Sequence, residues 1–475
     1  MSKSTSAAEH DSAGKRSTAT IGRGMSREEA DALYLRSEPA PSRGCDRFIS
    51  HSWSSSRASK VLALLWAHHH VGAMALSNVA FAAVALPAFV ARLRTSLQQP
   101  WSVAFGAMVV LPELVYVLTL LFGHRLLVLV GRRQTCFLDR LCIHQTDLAL
   151  KQAGIEKLAD AVRDSRTLTV CWSNDYTSRL WCNFELAQAA HAHGARGLVF
   201  VPEWLAPFLL AANAFNLVAV VTAAAIERSD LFLILNRRHG FLGPTLLWVL
   251  VGFVPSLAMC AALRLKVQLH THSMEQLASF SLKSARVSVE SDRAIVEAEV
   301  VSLFGSTEAF DALVRTDVRA HVREALGTPY RVPFTWMVFI YLPYAWFGIV
   351  DTTALSEEAI GSIIPDADIT VQQYAIGNVL YFGVLAFAAL PLALQLTCLQ
   401  THATRKLPFT LGWMLDVLLF QLLAFGASAA TNLVSAALVP LVHSQPVANV
   451  LQTVGSLFGY APPQAAAGVV RLMLR

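Results

Sequence analysis

The sequence is rich in apolar residues and poor in charge: of its 475 residues, 54% are hydrophobic and only 15% are charged. Soluble globular proteins carry roughly 25% charged residues, so the composition favours a membrane protein over a wholly soluble one. The net charge of +5 is spread along the chain without a dense block of Lys and Arg, which excludes a typical nucleic-acid-binding protein.

The amino-terminal segment 1–45 is rich in Ser, Ala and charged residues. It has no apolar stretch that would form the core of a signal peptide, and acids such as Glu28 and Asp31 are unusual in a transit peptide. We therefore predict a disordered tail. A first polar region, 46–66, follows, with a strand-like run at 47–50 and a helical stretch at 59–66.

Long apolar runs dominate the rest of the chain. A bilayer core about 30 Å thick requires roughly 20 consecutive apolar residues in a helix. Six runs without a formal charge meet this length: 71–91, 204–226, 241–263, 332–350, 374–400 and 417–441. A seventh, 104–123, contains only Glu113, an acid that follows Pro112 and would lie at a helix break or in a re-entrant loop. Buried helices of a soluble core are the alternative, but such helices rarely exceed about 10–14 unbroken apolar residues.

A second polar region, 132–202, alternates strand and helix patterns. Short apolar runs at 135–138, 167–172 and 197–201 are separated by helical patterns at 150–165 and 178–193. Such alternation predicts a parallel sheet covered on both faces.

A third polar region, 264–331, is charged and amphipathic. An apolar stripe at helical spacing predicts a packing face, and Gly327 and Pro329 would end that helix. The stripe consists of Phe310, Leu313, Val314, Val318, Val322 and Leu326.

The first two polar regions together contain five short motifs in a recognisable order. These are Phe48-Ile49-Ser50, then Phe137-Leu138-Asp139, then the Gly-containing stretch 150–155, then Ser165-Arg166 before Leu168-Thr169-Val170, and finally 176–186, which reads Y-T-S-R-L-W-C-N-F-E-L. In this order they resemble a TIR (Toll/interleukin-1 receptor) domain, and the last motif is close to the plant-type signature of that family. The resemblance implies a flavodoxin-like α/β domain with a parallel sheet.

The resemblance covers only 46–66 and 134–202, and the chain departs from the family pattern twice. A membrane hairpin, 67–131, interrupts the domain between its first helix and second strand. After 197–201 the chain enters a membrane run, so the family's last helix and strand are missing and four strands remain. The predicted order continues with a membrane hairpin at 203–263, a cytosolic helical segment at 264–331, membrane helices at 332–441 and a carboxyl-terminal segment at 442–475 that is interfacial or an incomplete eighth span.

Some members of the TIR family cleave NAD at the nicotinamide–ribose bond. The resemblance implies that Glu185, four residues after Trp181, is the catalytic carboxylate, and that His51, Ser52 and Trp53 hold the nicotinamide end. Many enzymatic members have a basic residue where Ser52 stands. Asp139 and Trp181 would also contact the ligand. The alternatives are a solvated helix acid for Glu185, a core aromatic for Trp181 and a strand-end cap for Asp139.

Metal chemistry is not predicted. Cys136, Cys142, His144, Cys171 and Cys182 lack the paired spacing of zinc ligands, and the seven cysteines are too scattered for a disulfide framework. We expect reduced thiols and no bound cofactor, with NAD as the candidate substrate.

Charge asymmetry predicts the orientation in the membrane. The loop 351–370 is acidic, whereas the next loop carries Arg405 and Lys406. By the positive-inside rule the acidic loop faces away from the cytosol, and 264–331 and the TIR-like part face it. Five arginines do not fit this orientation if the first two hairpins cross the membrane fully, because they would then lie on the external side. They are Arg92, Arg94, Arg228, Arg237 and Arg238.

These observations predict a multi-pass membrane protein with a cytosolic TIR-like domain that signals by self-association or contacts with other TIR domains and cleaves NAD. The alternatives are a TIR scaffold without turnover and a transporter or channel that the TIR-like domain regulates.

Overall fold

The computed structural model describes residues 26–39, 44–95, 100–131, 133–227, 242–287, 289–354 and 371–442, with a few isolated positions between 229 and 238. The strands are β1 (Arg47–His51), β2 (Cys136–Phe137), β3 (Thr167–Trp172) and β4 (Leu198–Pro202). The helices are α1 (Arg27–Tyr34), α2 (Arg57–Thr95), α3 (Trp101–Leu129), α4 (Asp139–Cys142), α5 (Leu148–Glu156), α6 (Leu158–Asp164), α7 (Leu180–His193), α8 (Leu205–Glu227), α9 (Leu242–Ala278), α10 (Ser291–Phe304), α11 (Thr307–Leu313), α12 (Arg319–Leu326), α13 (Phe334–Ala354), α14 (Val371–Val384), α15 (Leu390–Ala403) and α16 (Phe409–Val442).

Seven helices of the described chain are long and apolar enough to cross a membrane. They are α2, α3, α8, α9, α13, the α14–α15 pair and α16, and each contains most or all of one predicted apolar run. The length and composition of these helices therefore confirm the predicted multi-pass membrane architecture. In α3, a π-helical turn at Gly106–Val110 is followed by α-helix from Leu111 to Leu129, which includes Pro112 and Glu113. The chain therefore forms no re-entrant loop at these two residues.

The four described strands form one parallel sheet with the order β2-β1-β3-β4. In register, Phe48 lies beside Phe137 on one side and Leu168 on the other. Strand β3 is almost wholly buried because its β-branched and aromatic residues are covered on both faces. The small parallel α/β domain that the alternation predicted is confirmed.

Helix α2 joins this domain to the membrane without a break. Near its start, Lys60 Nζ donates to the carbonyl of Ser52, just after the carboxyl end of β1, at 2.8 Å. Two turns later, His68 lies beside Arg47, at the amino end of β1. Helix α2 thus runs antiparallel to the strand and continues as the first membrane helix, which pairs with α3 through the Ser77 Oγ hydrogen bond to Pro112 O at 2.9 Å.

The polar segment 264–331 packs on the α/β domain. The Trp181 indole N–H donates to Asp292 at 3.0 Å, Gln188 donates to Glu299 at 2.9 Å, and His321 contacts the carbonyl of Leu198 at 2.9 Å. The two parts therefore lie on one side of the membrane helices. The predicted stripe is a packing face, because its members from Phe310 to Leu326 are buried apart from half-buried Leu313.

Four boundaries differ from the sequence-based expectations. The segment expected to be a disordered tail contains α1, which has a capping box at Ser26 and a hydrogen bond between Asp31 and His144. The single helix expected at 150–165 is two helices that meet at Lys157. Helix α9 runs to Ala278, so the segment 264–331 begins inside a membrane helix.

The fourth difference concerns Asp351, which the sequence pattern places in the acidic loop. It belongs to α13, is 3% exposed and accepts a hydrogen bond from Asn378. Residues 355–370 of that loop, the segment 442–475 after its first residue and most of the predicted tail lie outside the described residues.

Candidate functional site

Glu185 lies at the interface between α7 and β1. Its Oε2 atom accepts a hydrogen bond from Ser50 Oγ at 2.5 Å, and the Ser50 hydroxyl also contacts the Tyr176 hydroxyl at 2.6 Å. The Glu185 side chain is buried, with 7% exposure, between helix and sheet. Glu185 is therefore held by β1, the strand whose carboxyl end carries the predicted ligand residues His51, Ser52 and Trp53.

The environment of Glu185 favours its neutral form. Burial and the nearby charge of Asp139 raise the pKa of Glu185 to about 8, and the hydrogen bond from Ser50 only partly opposes this. At neutral pH most of the molecules therefore carry a protonated Glu185. A carboxyl group with a pKa near physiological pH is suited to proton transfer or to a charge switch on ligand binding.

Three further predicted residues lie together at the carboxyl ends of β1 and β2, and one of them, Asp139, acts on Glu185 through its charge. The Trp53 indole N–H donates to Asp139 Oδ2 at 2.9 Å, and His51 Nδ1 lies 3.9 Å from Asp139 Oδ1. Burial lowers the pKa of His51, although Asp139 partly offsets this shift. Trp53 is 56% exposed, so the ring offers a surface on which a planar group can stack. We call His51, Trp53, Asp139 and Glu185 the rim cluster.

The two other predicted ligand contacts point elsewhere. Ser52 Oγ donates to Asp175 at 2.8 Å. The Trp181 indole N–H donates to Asp292 of α10, and its ring lies edge-on to Phe184 at 5.4 Å. In this structure the Ser52 side chain therefore stabilises the loops beside the rim cluster, and the Trp181 side chain stabilises the α7–α10 contact.

Asp175 organises the loops beside the rim cluster, although the sequence patterns did not single it out. Its carboxylate accepts hydrogen bonds from Ser52, Ser54, Ser173 and Arg179. Burial raises the pKa of Asp175, but these donors together lower it to about 2, so the group is ionised. The run of serines after β1 was the only signal for this centre, and serine runs are equally common in loops.

Ser50 and Tyr176 lie within the sequence motifs, but no pattern in the sequence marks either of them as a site residue. Their hydroxyls contact each other, and Ser50 donates a hydrogen bond to Glu185. Both residues therefore help to position the Glu185 carboxyl group.

No protein-family model, curated protein or solved structure matches this chain. The fold alone therefore assigns the class, a multi-pass helical membrane protein with a small parallel α/β domain.

Proposed function

We propose that this protein is a membrane-anchored signalling protein whose TIR-like domain cleaves NAD at the nicotinamide–ribose bond. The observation that supports this most is the position of the Glu185 carboxyl group, which lies against Ser50 and beside Asp139 at the carboxyl edge of a parallel sheet. In open parallel sheets, ligands bind in the crevice beyond this edge. The domain would face the cytosol.

The chemistry needs a negative charge near the ribose. When the C1′–N bond breaks, its electron pair stays on the nicotinamide nitrogen, which becomes neutral, and C1′ becomes oxocarbenium-like. The Glu185 carboxylate would stabilise that cation. Water then adds to C1′ and releases one proton to solvent, which gives ADP-ribose and nicotinamide.

The raised pKa of Glu185 fits this role. A cationic nicotinamide ring near the carboxyl group favours its ionised form and lowers the pKa, so substrate binding itself would generate the carboxylate. The exposed Trp53 ring would stack on the nicotinamide, with its N–H fixed by Asp139. Binding of NAD would thus ionise the Glu185 carboxyl group that stabilises its transition state.

A scaffold without turnover is the second candidate, and the low exposure of Glu185 favours it. A buried acid with a short hydrogen bond to Ser50 also has the features of a core residue that fixes α7 against β1. Assembly through domain contacts would then be the whole function.

Nicotinamide release distinguishes the two candidates. The full-length protein in detergent micelles or nanodiscs is incubated with NAD, and free nicotinamide is quantified by chromatography over a range of protein concentrations. Self-association would supply the wall that the missing last strand leaves open, so we expect turnover to rise more steeply than protein concentration. If no nicotinamide is released at high protein concentration, the enzyme proposal is wrong and the scaffold replaces it.

A further inference from the structure

A cavity of about 100 Å³ lies inside the membrane bundle, among helices α8, α9, α13, the α14–α15 pair and α16. One water molecule takes up about 30 Å³ in the liquid, so the space suits a ligand of roughly three heavy atoms. None of the lining residues that the structure describes carries a charge. Six of them are aromatic: Phe215, Tyr341, Tyr344, Tyr381, Phe420 and Phe425.

The membrane helices are interrupted where they meet this cavity. Pro255 lies inside α9 and lines the cavity together with Gly252. Pro343 lies inside α13, between two of the lining tyrosines. A π-helical turn, Leu385–Ala389, joins α14 to α15, and its first residue lines the cavity. Interruptions of this kind weaken a helix, and in membrane proteins they are typical of ligand sites.

Two side-chain amides of the cavity each have an oxygen without a donor. Asn216 uses its amide nitrogen to donate to the carbonyl of Ala212 at 2.8 Å. Gln421 donates from its amide nitrogen to Ser256 Oγ, whose own proton goes to the carbonyl of Phe253. Asn216 Oδ1 and Gln421 Oε1 therefore have no donor among the described residues, and neither oxygen is fully enclosed. The cavity thus offers two free acceptors.

Acceptor oxygens and aromatic rings together favour a cation. The face of an aromatic ring is negative and attracts a cation, whereas an anion would meet two amide oxygens and no cationic side chain among the described lining residues. Two amide oxygens are too few to replace the water shell of a metal ion. An ammonium group donates several hydrogen bonds from a single nitrogen, so it can satisfy both oxygens at once.

We propose that this cavity binds one small primary ammonium ion of about the size of methylammonium. The ammonium donates to Asn216 Oδ1 and Gln421 Oε1, and the tyrosine rings stabilise its charge. The site gives the membrane bundle a ligand of its own, beyond anchoring the α/β domain, and it stands independently of NAD cleavage.

Equilibrium dialysis of the full-length protein in detergent micelles against radiolabelled methylammonium tests this proposal. We expect one saturable site per chain. Asn216→Leu and Gln421→Leu each remove one acceptor of a charged donor, so each should weaken binding roughly tenfold. Gly252→Phe should weaken binding by filling the cavity while leaving both oxygens in place, because Gly252 faces open space.

Asn78→Leu is the matched control and should leave binding unchanged. Asn78 lies on the membrane helix α2, where its amide nitrogen donates to the carbonyl of Met74 at 2.8 Å, four residues before it, as Asn216 does to Ala212. It does not line the cavity. A loss of binding that comes only from losing an amide in a membrane helix would therefore appear in this variant as well.

Competition identifies the chemistry that the site recognises. Tetramethylammonium has the charge without an N–H donor, methanol has the size without the charge, and K⁺ is a metal ion, so each should compete at least tenfold more weakly than unlabelled methylammonium. Equal competition by any one of the three would overturn the proposal, as would the absence of saturable binding. Unchanged binding in Gly252→Phe and in the Asn216→Leu/Gln421→Leu double variant, with wild-type thermal unfolding, would place the ion elsewhere.

Discussion

Ser50 and Glu185 are 135 residues apart in the chain, yet their side chains are joined by a buried hydrogen bond of 2.5 Å. This bond links the first strand of the sheet to the helix that carries the candidate catalytic acid. Because Glu185 is buried there beside Asp139, both its charge and its accessibility depend on these neighbours. The first three predictions test this dependence.

Glu185→Gln should abolish nicotinamide release while the protein still folds and inserts. The substitution keeps the shape and removes the charge that would stabilise the oxocarbenium-like ribose, so we expect a loss of two or more orders of magnitude in rate, roughly 3–4 kcal/mol. Glu156→Gln is the matched control, since Glu156 lies on α5, outside the rim cluster, and accepts a hydrogen bond from Gln152 on the same helix. Wild-type turnover in Glu185→Gln would exclude Glu185 as the catalytic group.

The rate of NAD cleavage at limiting substrate should rise with pH. With a pKa of about 8, Glu185 is mostly protonated at pH 7 and mostly ionised at pH 9. If the carboxylate is the active form, the rate should increase about tenfold across this interval. The direction follows from the sign of the shift, since an acid with a raised pKa gains its charge at higher pH. A rate that falls over the same interval would show that the protonated acid is the active form.

Ser50→Ala should shift the inflection of this pH profile to higher pH. The Ser50 hydroxyl lowers the pKa of Glu185 by hydrogen bonding to its carboxylate, so its removal should raise the inflection by about one pH unit. Ser165→Ala serves as the control, because Ser165 is a buried serine that donates to the carbonyl of Ala161. A loss of activity without a shifted profile would indicate damage to the fold instead.

The sequence predicts the elements well because local patterns determine them. The β-branched run of β3 predicts a buried strand, and each long apolar run predicts a membrane helix. It cannot predict where Trp181 and Ser52 point, since their partners are Asp292, 111 residues away, and Asp175, 123 residues away. The continuity of α2 from sheet to membrane was equally hidden, because both halves show helical patterns with no signal at their junction.

Orientation in the membrane is a prediction from the sequence that cysteine labelling can test. The segment 264–331 and the α/β domain lie on one side of the membrane helices, and the positive-inside rule assigns that side to the cytosol. A cysteine introduced at Ser362, in the acidic loop, should react with an impermeant maleimide in intact cells. A cysteine introduced at Glu156 should react only after permeabilisation. The reverse pattern would contradict the assignment.

Asp416→Asn should strongly destabilise the membrane bundle. Arg264 and Asp416 form a 3.1 Å ion pair in which both side chains are fully buried, and Arg264 also donates to the carbonyl of Thr404. Loss of Asp416 leaves the Arg264 charge unpaired inside the bundle, which typically costs about 3–5 kcal/mol. The midpoint of thermal unfolding in detergent should therefore fall markedly.

The control for this prediction is Asp160→Asn, which breaks a solvent-exposed pair with Arg163 and should leave the midpoint almost unchanged.

The double variant Arg264→Met/Asp416→Leu separates a structural pair from a functional one. Replacing both charges with apolar side chains should recover much of the stability, because a buried pair gains little over good apolar packing. Recovery should be incomplete, since the carbonyl of Thr404 loses its donor. If Asp416→Asn unfolds at the wild-type temperature, the ion pair does not hold the bundle together. The transporter or channel alternative then gains support, because charged residues within membrane segments commonly mark ion or substrate paths.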